Sequence, residues 1–241
     1  MAKSCSGLAQ PVLGPVLEER TIGGLHKVML AKVKSLPNLS DDTPILDIGC
    51  GTGAWLDRLA ANGFKALYGV DKDTRQFATD RATCSEVDID TAADLGLGGR
   101  KFGLITAIEV VEHLENPGRL FLHVARYLSN EGVFLMTTPN IHSVLCRFRY
   151  LLTGHLKQFD SKGDATHIYP VLLPALCKIL PRHGLRITQK WPYPADGGSI
   201  TSRPMVKVAA SLLGLFLPND DPGDVLCLMI RKDVKQVAPG T

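Results

Sequence analysis

The chain contains no apolar run near the roughly 20 residues that cross a bilayer as a helix, no C-x-x-C pair, no internal repeat and no low-complexity tract. Each absence closes off a class of protein. Without the apolar run there is no candidate transmembrane segment. The start, Met1 to Arg20, holds Lys3 but no continuous apolar stretch of signal-peptide length, so a cytoplasmic, soluble protein is expected. The six cysteines, Cys5, Cys50, Cys84, Cys146, Cys177 and Cys227, are too scattered for a zinc ribbon or a disulfide framework, and reduced thiols are the simplest reading. A formal net charge of only +3 is too small for a general nucleic-acid binder, which concentrates Lys and Arg on one surface.

What is present is a chain of 241 residues, 45% apolar and 21% charged, enough for one domain with a full-sized core. Short apolar runs alternate with longer helical patterns, the signature of an α/β domain with a mostly parallel sheet. The patterns predict a helix over Leu25 to Leu36, a strand over Ile45 to Ile48, and a helix from Ala54 to Ala61 that stops at Asn62-Gly63. Strands are expected at Leu67 to Val70, up to about Val87, and at Phe102 to Ala107. Asn116-Pro117 opens a helix with proline in its first turn, Gly132 is read as its end, and Val133 to Thr137 as the next strand. Further on, Leu173 to Leu180 reads as a helix, and Leu185 to Lys190 and Val225 to Arg231 as strands, with a long insertion between these last two.

The first strand runs into the turn Asp47-Ile48-Gly49-Cys50-Gly51-Thr52-Gly53. Its glycines let the backbone bend sharply and approach a ligand closely. The spacing also satisfies the G-x-G-x-x-G/A form of nicotinamide and flavin enzymes, a weak match when it stands alone. Asp47 discriminates between the two. A carboxylate beside the turn repels a dinucleotide pyrophosphate, whereas S-adenosylmethionine (SAM) has no phosphate and carries cationic ammonium and sulfonium groups. Asp71, at the end of the second strand, is placed to accept hydrogen bonds from ribose hydroxyls, which suits SAM and NAD equally. Asp88, with Asp90 as a rival, could accept from an adenine amine beside the backbone of Ile89.

With these residues in order, the chain resembles the class I SAM-dependent methyltransferases, in particular the type 11 and 23 group with an E-V-x-E-H-L signature after the fourth strand. The pieces that carry the likeness are Ile45 to Gly53, Val70-Asp71, Phe102 to Pro117 with Glu109-Val110-Val111-Glu112-His113-Leu114, and Thr137-Thr138-Pro139-Asn140, within Asp41 to Asn140. His167-Ile168-Tyr169 ahead of an apolar helix also looks like this group. Gly103 departs from it, since relatives commonly have a Phe-Asp pair there. The resemblance implies a Rossmann-like, seven-stranded, mostly parallel sheet with its last strand antiparallel and flanking helices. It also implies SAM bound across the carboxyl ends of the strands by Asp47, Gly49, Gly51, Asp71, Asp88, Ile89 and Ala107, with S-adenosylhomocysteine (SAH) as product. One methyltransferase domain over 1–241 is expected, with a helical extension over 1–40, a SAM-binding half over 41–140 and a substrate half over 141–241 that carries an apolar insertion at 204–218.

Methyl transfer to a hydroxyl needs a proton acceptor, and Glu112, His113 and His167 are the candidates. An alternative groups Glu109, Glu112, His113 and His167 as ligands of a divalent ion, the first three at a spacing that a helix would align. That set resembles the metal-dependent enzymes that methylate the 2′-hydroxyl at the 3′ end of small RNAs. The string also occurs in metal-free relatives and no basic, aromatic platform for RNA is evident, so a metal-free site is expected. The expected acceptor is a small molecule, a quinone precursor or a glycan- or lipid-linked compound. Arg147 to Tyr150 with His155 and Lys157 could grip an anionic or sugar-bearing acceptor. Met205 to Leu217 reads either as a core-packing lid helix or as an interfacial helix touching a membrane. A non-enzymatic SAM-binding module and an NAD-dependent oxidoreductase are the competing classes.

Overall fold

The computed structural model describes residues 17–161, 163–196 and 222–233; the apolar stretch Met205 to Leu217 lies outside the described residues. In chain order the elements are α1 (Leu25–Lys34), β1 (Ile45–Ile48), α2 (Ala54–Ala60), β2 (Leu67–Asp71), β3 (Thr83–Glu86), β4 (Phe102–Ile108), α3 (Pro117–Tyr127), β5 (Leu128–Pro139), α4 (Val144–Thr153), α5 (Leu173–Ile179), β6 (Leu185–Tyr193) and β7 (Val225–Lys232). The strands form one seven-stranded sheet in the order β3-β2-β1-β4-β5-β7-β6. β1 to β5 run parallel, and β7 is antiparallel to both of its neighbours. This is the expected Rossmann-like arrangement.

Side chains alternate between two apolar layers, as the two-residue period of a strand requires. Leu46, Ile48, Ile105, Phe134, Met136, Leu228 and Ile230 pack with Leu120, Phe121 and Val124 of α3 and Leu176 of α5. Ile45, Leu104, Val133, Leu135, Cys227 and Met229 face the other way and meet Leu25, Met29 and Val33 of α1 and Trp55, Leu56 and Leu59 of α2. All four residues of β1 are buried, which is why a strand covered on both faces reads as a continuous apolar run broken only by Asp47. Among the described residues no helix is long and apolar enough to cross a membrane.

One local expectation is corrected, and one departure is explained. Gly132 does not end α3, which stops at Tyr127, and β5 starts at once with Leu128. Leu128 pairs with Phe102 ahead of a register shift in the β4–β5 ladder, so sheet pairing overrides the helical pattern. Gly103 has a steric reason: a Cβ there would lie 2.4 Å from Thr43 Cγ2. An aspartate at that position would require the Thr43 side chain to shift.

Candidate functional site

A cavity of about 790 Å³ opens at the carboxyl ends of β1, β2 and β4, where the strand order reverses on either side of β1 and open α/β sheets place their ligands. Gly49, Gly51, Asp47, Asp71, Asp88, Ile89, His113 and His167 all line it. Ala107 and Glu112 do not. Ala107 is fully buried in the core beneath the site, and Ile108 and Glu109 form the wall there.

The turn after β1 depends on left-handed backbone. Gly49 has φ +74, and a Cβ on it would lie 2.6 Å from Val110 Cγ2. Gly51, at φ +50, has nothing within 4 Å of a virtual Cβ, so its backbone faces open space. Its N–H donates to Asp71 Oδ2 (2.8 Å) and the Asp73 N–H donates to Asp71 Oδ1 (3.0 Å). Each carboxylate oxygen keeps a lone pair for a ligand hydroxyl. Asp47 is held from behind: Trp55 Nε1–H donates to Thr106 Oγ1 (3.1 Å), and the Thr106 hydroxyl donates to Asp47 Oδ1 (2.6 Å). Burial pushes the Asp47 carboxyl up to about 7 against the restraining Thr106 bond, and the nearby Asp71 charge adds to the rise.

The two acidic candidates after β3 separate. Asp90 spends both oxygens on the N–H groups of Glu115 and Asn116 (3.1 and 2.8 Å) and so anchors the loop before α3. The Asp88 carboxylate accepts through Oδ1 from the Asp90 N–H (3.0 Å). One wall had no signal in the sequence. Glu18, Glu19, Arg20, Thr21, Ile22 and His26 border the cavity, pinned by Glu18 N–H to Thr52 Oγ1 (3.2 Å), the Thr52 hydroxyl to the Glu18 carbonyl (2.9 Å), and an Arg58–Glu19 ion pair. These contacts join residues more than 30 positions apart, with no local motif to announce them.

The far end of the cavity is built from the loop after β4, the end of β5 and the segment around 158–169. Glu109 ends β4 in left-handed backbone, φ 55. The Thr137 hydroxyl donates to Glu109 Oε1 and accepts from the Glu109 N–H, both at 3.0 Å. Burial raises the Glu109 carboxyl to about 7. Val111 to His113 form a single 3₁₀ turn, so the helical alignment of Glu109 with Glu112 and His113 does not occur. Glu112 is fully buried, and its carbonyl accepts from the N–H groups of Ile168 and Tyr169, both at 2.9 Å. That clasp brings His167 to His113, ring centroids 4.7 Å apart. Glu112 Oε2 accepts from Thr138 Oγ1 (3.1 Å), while Oε1 has no partner. Burial, reinforced by the Glu109 charge, lifts the Glu112 carboxyl well above its usual range. Burial chiefly lowers His113, with the neighbouring His167 adding to the effect.

Of the basic, aromatic stretch after β5, Ser143 caps α4 by accepting from the Cys146 N–H (3.2 Å). Arg149 pairs with Asp160, and Lys157 with the buried Asp224 at 2.6 Å. None of Arg147, Arg149, Tyr150, His155 or Lys157 lines the cavity, and Arg149 and Lys157 are tied to the scaffold by their ion pairs.

Comparison with known proteins agrees with this geometry. A methyltransferase domain model matches residues 23–190. A protein of Mycolicibacterium smegmatis described as a probable SAM-dependent methyltransferase is 32% identical over 143 residues, 55% of this chain and 54% of that one. The ubiquinone biosynthesis O-methyltransferase of Bartonella quintana is 34% identical over 106 residues, 42% of each chain. The chain thus spans about half the length of the curated relatives it matches. Among solved structures, magnesium protoporphyrin IX methyltransferase from Synechocystis, with bound SAH, superposes with a TM-score of 0.56 at 17% identity, covering 86% of this chain and 81% of that one. A SAM-dependent methyltransferase from Mesorhizobium loti gives 0.54 at 18% identity, over 87% and 99%.

Proposed function

As this chain belongs to the methyltransferase-domain family, we propose that it transfers a methyl group from SAM to a hydroxyl of a small organic acceptor. The observation that carries the reading is the polarity of this cavity. Asp47 and Asp71 stand at the turn after β1, and a histidine and carboxylate cluster stands at the far end. The residues fit the cofactor. Two carboxylates beside a glycine turn attract a cationic ligand and oppose a pyrophosphate, and a volume of about 790 Å³ falls in the ~300–1,000 Å³ range of small-ligand pockets.

In this reading Asp71 accepts the ribose hydroxyls, Asp88 and Ile89 meet the adenine, Gly49 and Gly51 let the backbone come close, and Asp47 faces the cationic part. Ala107 supports this floor from the core and makes no contact of its own. SAM, when bound, supplies a methyl carbon activated by its sulfonium, so the protein mainly aligns the acceptor and excludes water. His113 and His167, which line the other end, deal with the acceptor's proton, and Glu112, buried behind them, holds the loop through its carbonyl bonds from Ile168 and Tyr169. The O-methyltransferases among the relatives support a small hydroxylated acceptor.

Calorimetry of the full chain with SAM, SAH and NAD tests the cofactor. SAM and SAH should bind in the micromolar range and NAD should not; binding of NAD alone would overturn the reading. Labelled SAM supplied with phenols, catechols, glycan- and lipid-linked compounds and short RNAs tests the acceptor. Label on a small hydroxylated compound is the expected result, and label only on nitrogen, carbon or RNA counts against it.

A further inference from the structure

We propose that Cys50 and Cys84 form an oxidisable thiol pair: a low-molecular-weight disulfide joins them into a cross-link, and the cross-link weakens SAM binding at the turn after β1. Their sulfurs lie 3.2 Å apart although the residues are 34 positions apart in the chain. Both are free cysteines, Cys50 buried and Cys84 half-buried.

The contact is made across β2. β3 is an edge strand of the sheet, and Cys84 is the register partner of Gly69 on β2. Register partners on neighbouring strands present their side chains to the same face. Gly69 has none, and Cys50 fills the space: a Cβ on Gly69 would lie 2.6 Å from Cys50 Sγ and 3.0 Å from Cys50 Cβ. The glycine thus opens the gap through which Cys50 reaches over β2 to the edge of the sheet.

The two thiols differ as an attacking and a resolving thiol must. Cys84 sits on the sheet edge, open to a small reagent. The hydrogen bond from Cys50 S–H holds the Cys84 thiol below its ordinary range, against the opposing effect of burial. Cys50 is pushed the other way, first by the same bond and then by burial. Cys146 and Cys227 are buried, and burial raises both thiols. In the reaction the Cys84 thiolate attacks one sulfur of the reagent disulfide; a new sulfur–sulfur bond forms and the other half leaves as a thiolate. Cys50 then loses its proton and attacks Cys84 Sγ, and the second half leaves. Two protein thiols are oxidised, the reagent is reduced to two thiols, and the protons of Cys50 and Cys84 end on them.

A disulfide holds its sulfurs at about 2.05 Å, so roughly 1 Å of the 3.2 Å separation must close. Cys50 stands between Gly49 and Gly51, and all three line the cavity. The Gly51 N–H donates to Asp71 (2.8 Å), and the Cys50 N–H donates to the Val70 carbonyl (3.2 Å). Glycine resists backbone rotation least, so a pull on Cys50 towards β3 is taken up by the turn. That displaces the Gly51 N–H and turns Asp71 from the ribose position. The effect rests on the proposed reading of the cofactor end and on no acceptor.

The test equilibrates the full chain with mixtures of oxidised and reduced glutathione, then alkylates and digests it without reductant, with SAM affinity measured by calorimetry on the same samples. A peptide linking Cys50 to Cys84 should appear in the oxidising mixtures, SAM should bind about tenfold more weakly, and dithiothreitol should reverse both. Cys84→Ser should bind SAM as the unsubstituted chain does under reducing conditions and should lose the response. Cys177→Ser, at an exposed control position, should keep it. Glutathione held on Cys84 with no linked peptide would overturn the proposal. So would a linked peptide with SAM affinity unchanged, or a loss of affinity that persists in Cys84→Ser. Failure of the reduced chain to bind SAM would sink the cofactor reading and the effect on SAM with it, while a linked peptide would still establish the thiol pair.

Discussion

Both ends of the cavity are built on left-handed backbone, and they fill it differently. At the cofactor end the positive-φ positions are Gly49, Gly51 and Gly53; at the acceptor end they are Glu109 and Gln158. Glycine takes this conformation without penalty, while other residues lose roughly 1–2 kcal/mol. The cofactor end thus uses the turn to expose backbone, and the acceptor end accepts strain to aim a carboxylate and a carbonyl. One end is a cradle and the other is a set of directed groups.

Filling the cradle gives the largest expected effect. Gly49→Ala places a Cβ 2.6 Å from Val110 Cγ2 at φ +74. The left-handed penalty and roughly 1–3 kcal/mol of overpacking sum to a loss of about 3 kcal/mol, read from the urea midpoint. An unchanged midpoint would show that the turn relaxes freely and that the contrast between the two ends is unfounded.

Next is Asp71→Ala. Loss of a charged acceptor for the ribose hydroxyls should weaken SAM by about 2 kcal/mol, roughly 30-fold, in a calorimetric titration. The Gly51 and Asp73 N–H groups also lose their partner, so Asp71→Asn, which keeps an acceptor, should recover part of the affinity. Equal affinity for all three chains would remove Asp71 from the site.

Protonation of Asp47 comes third. With its carboxyl near 7 in the free chain, a cationic ligand that needs the ionised form must expel a proton. SAM affinity should then be full above pH 7 and fall by up to about tenfold per pH unit below it. The contribution of Asp47 to the stability of the free chain runs the opposite way. The folded state keeps a proton that the unfolded state releases above its ordinary 3.8, so this contribution is full below about pH 4 and declines as pH rises towards 7. Asp47→Asn should flatten both profiles; a SAM affinity already flat from pH 6 to 8 in the unsubstituted chain would detach Asp47 from the cofactor.

The same contrast explains what could be read from the amino-acid order. The cofactor end is contiguous, a four-residue strand, a glycine turn and a helix start, with Asp71 one strand away, and its chemistry is local. β1 and the start of α3 at Pro117 fall where the patterns place them. The acceptor end joins Glu109, Thr137, Gln158 and Thr166, so no single stretch carries it. His113 and His167 were legible as candidates, but the Asp164–Thr166–His113 chain and the orphaned Glu112 oxygen exist only after folding. The wall from Glu18 to Ile22 was invisible because it is held by contacts distant in sequence. The early end of α3 was missed because pairing of Leu128 with Phe102 decides it.

The smallest expected effect is the sharpest probe of the acceptor end. Gln158 is left-handed, and its carbonyl, not its side chain, orients His167. Gln158→Gly should relieve roughly 1–2 kcal/mol of strain and lose about 0.5–1 kcal/mol to the greater freedom of the unfolded chain. The net gain is about 0.5 kcal/mol, a rise of ~1–2 °C in melting temperature. The carbonyl stays, but the loop that aims it loosens, so methyl transfer should fall while SAM affinity holds. Higher stability with lower turnover would show that strain at this end maintains the alignment of His167. Higher stability with unchanged turnover would make Gln158 an ordinary turn residue, and the two ends of the cavity would then differ in composition only.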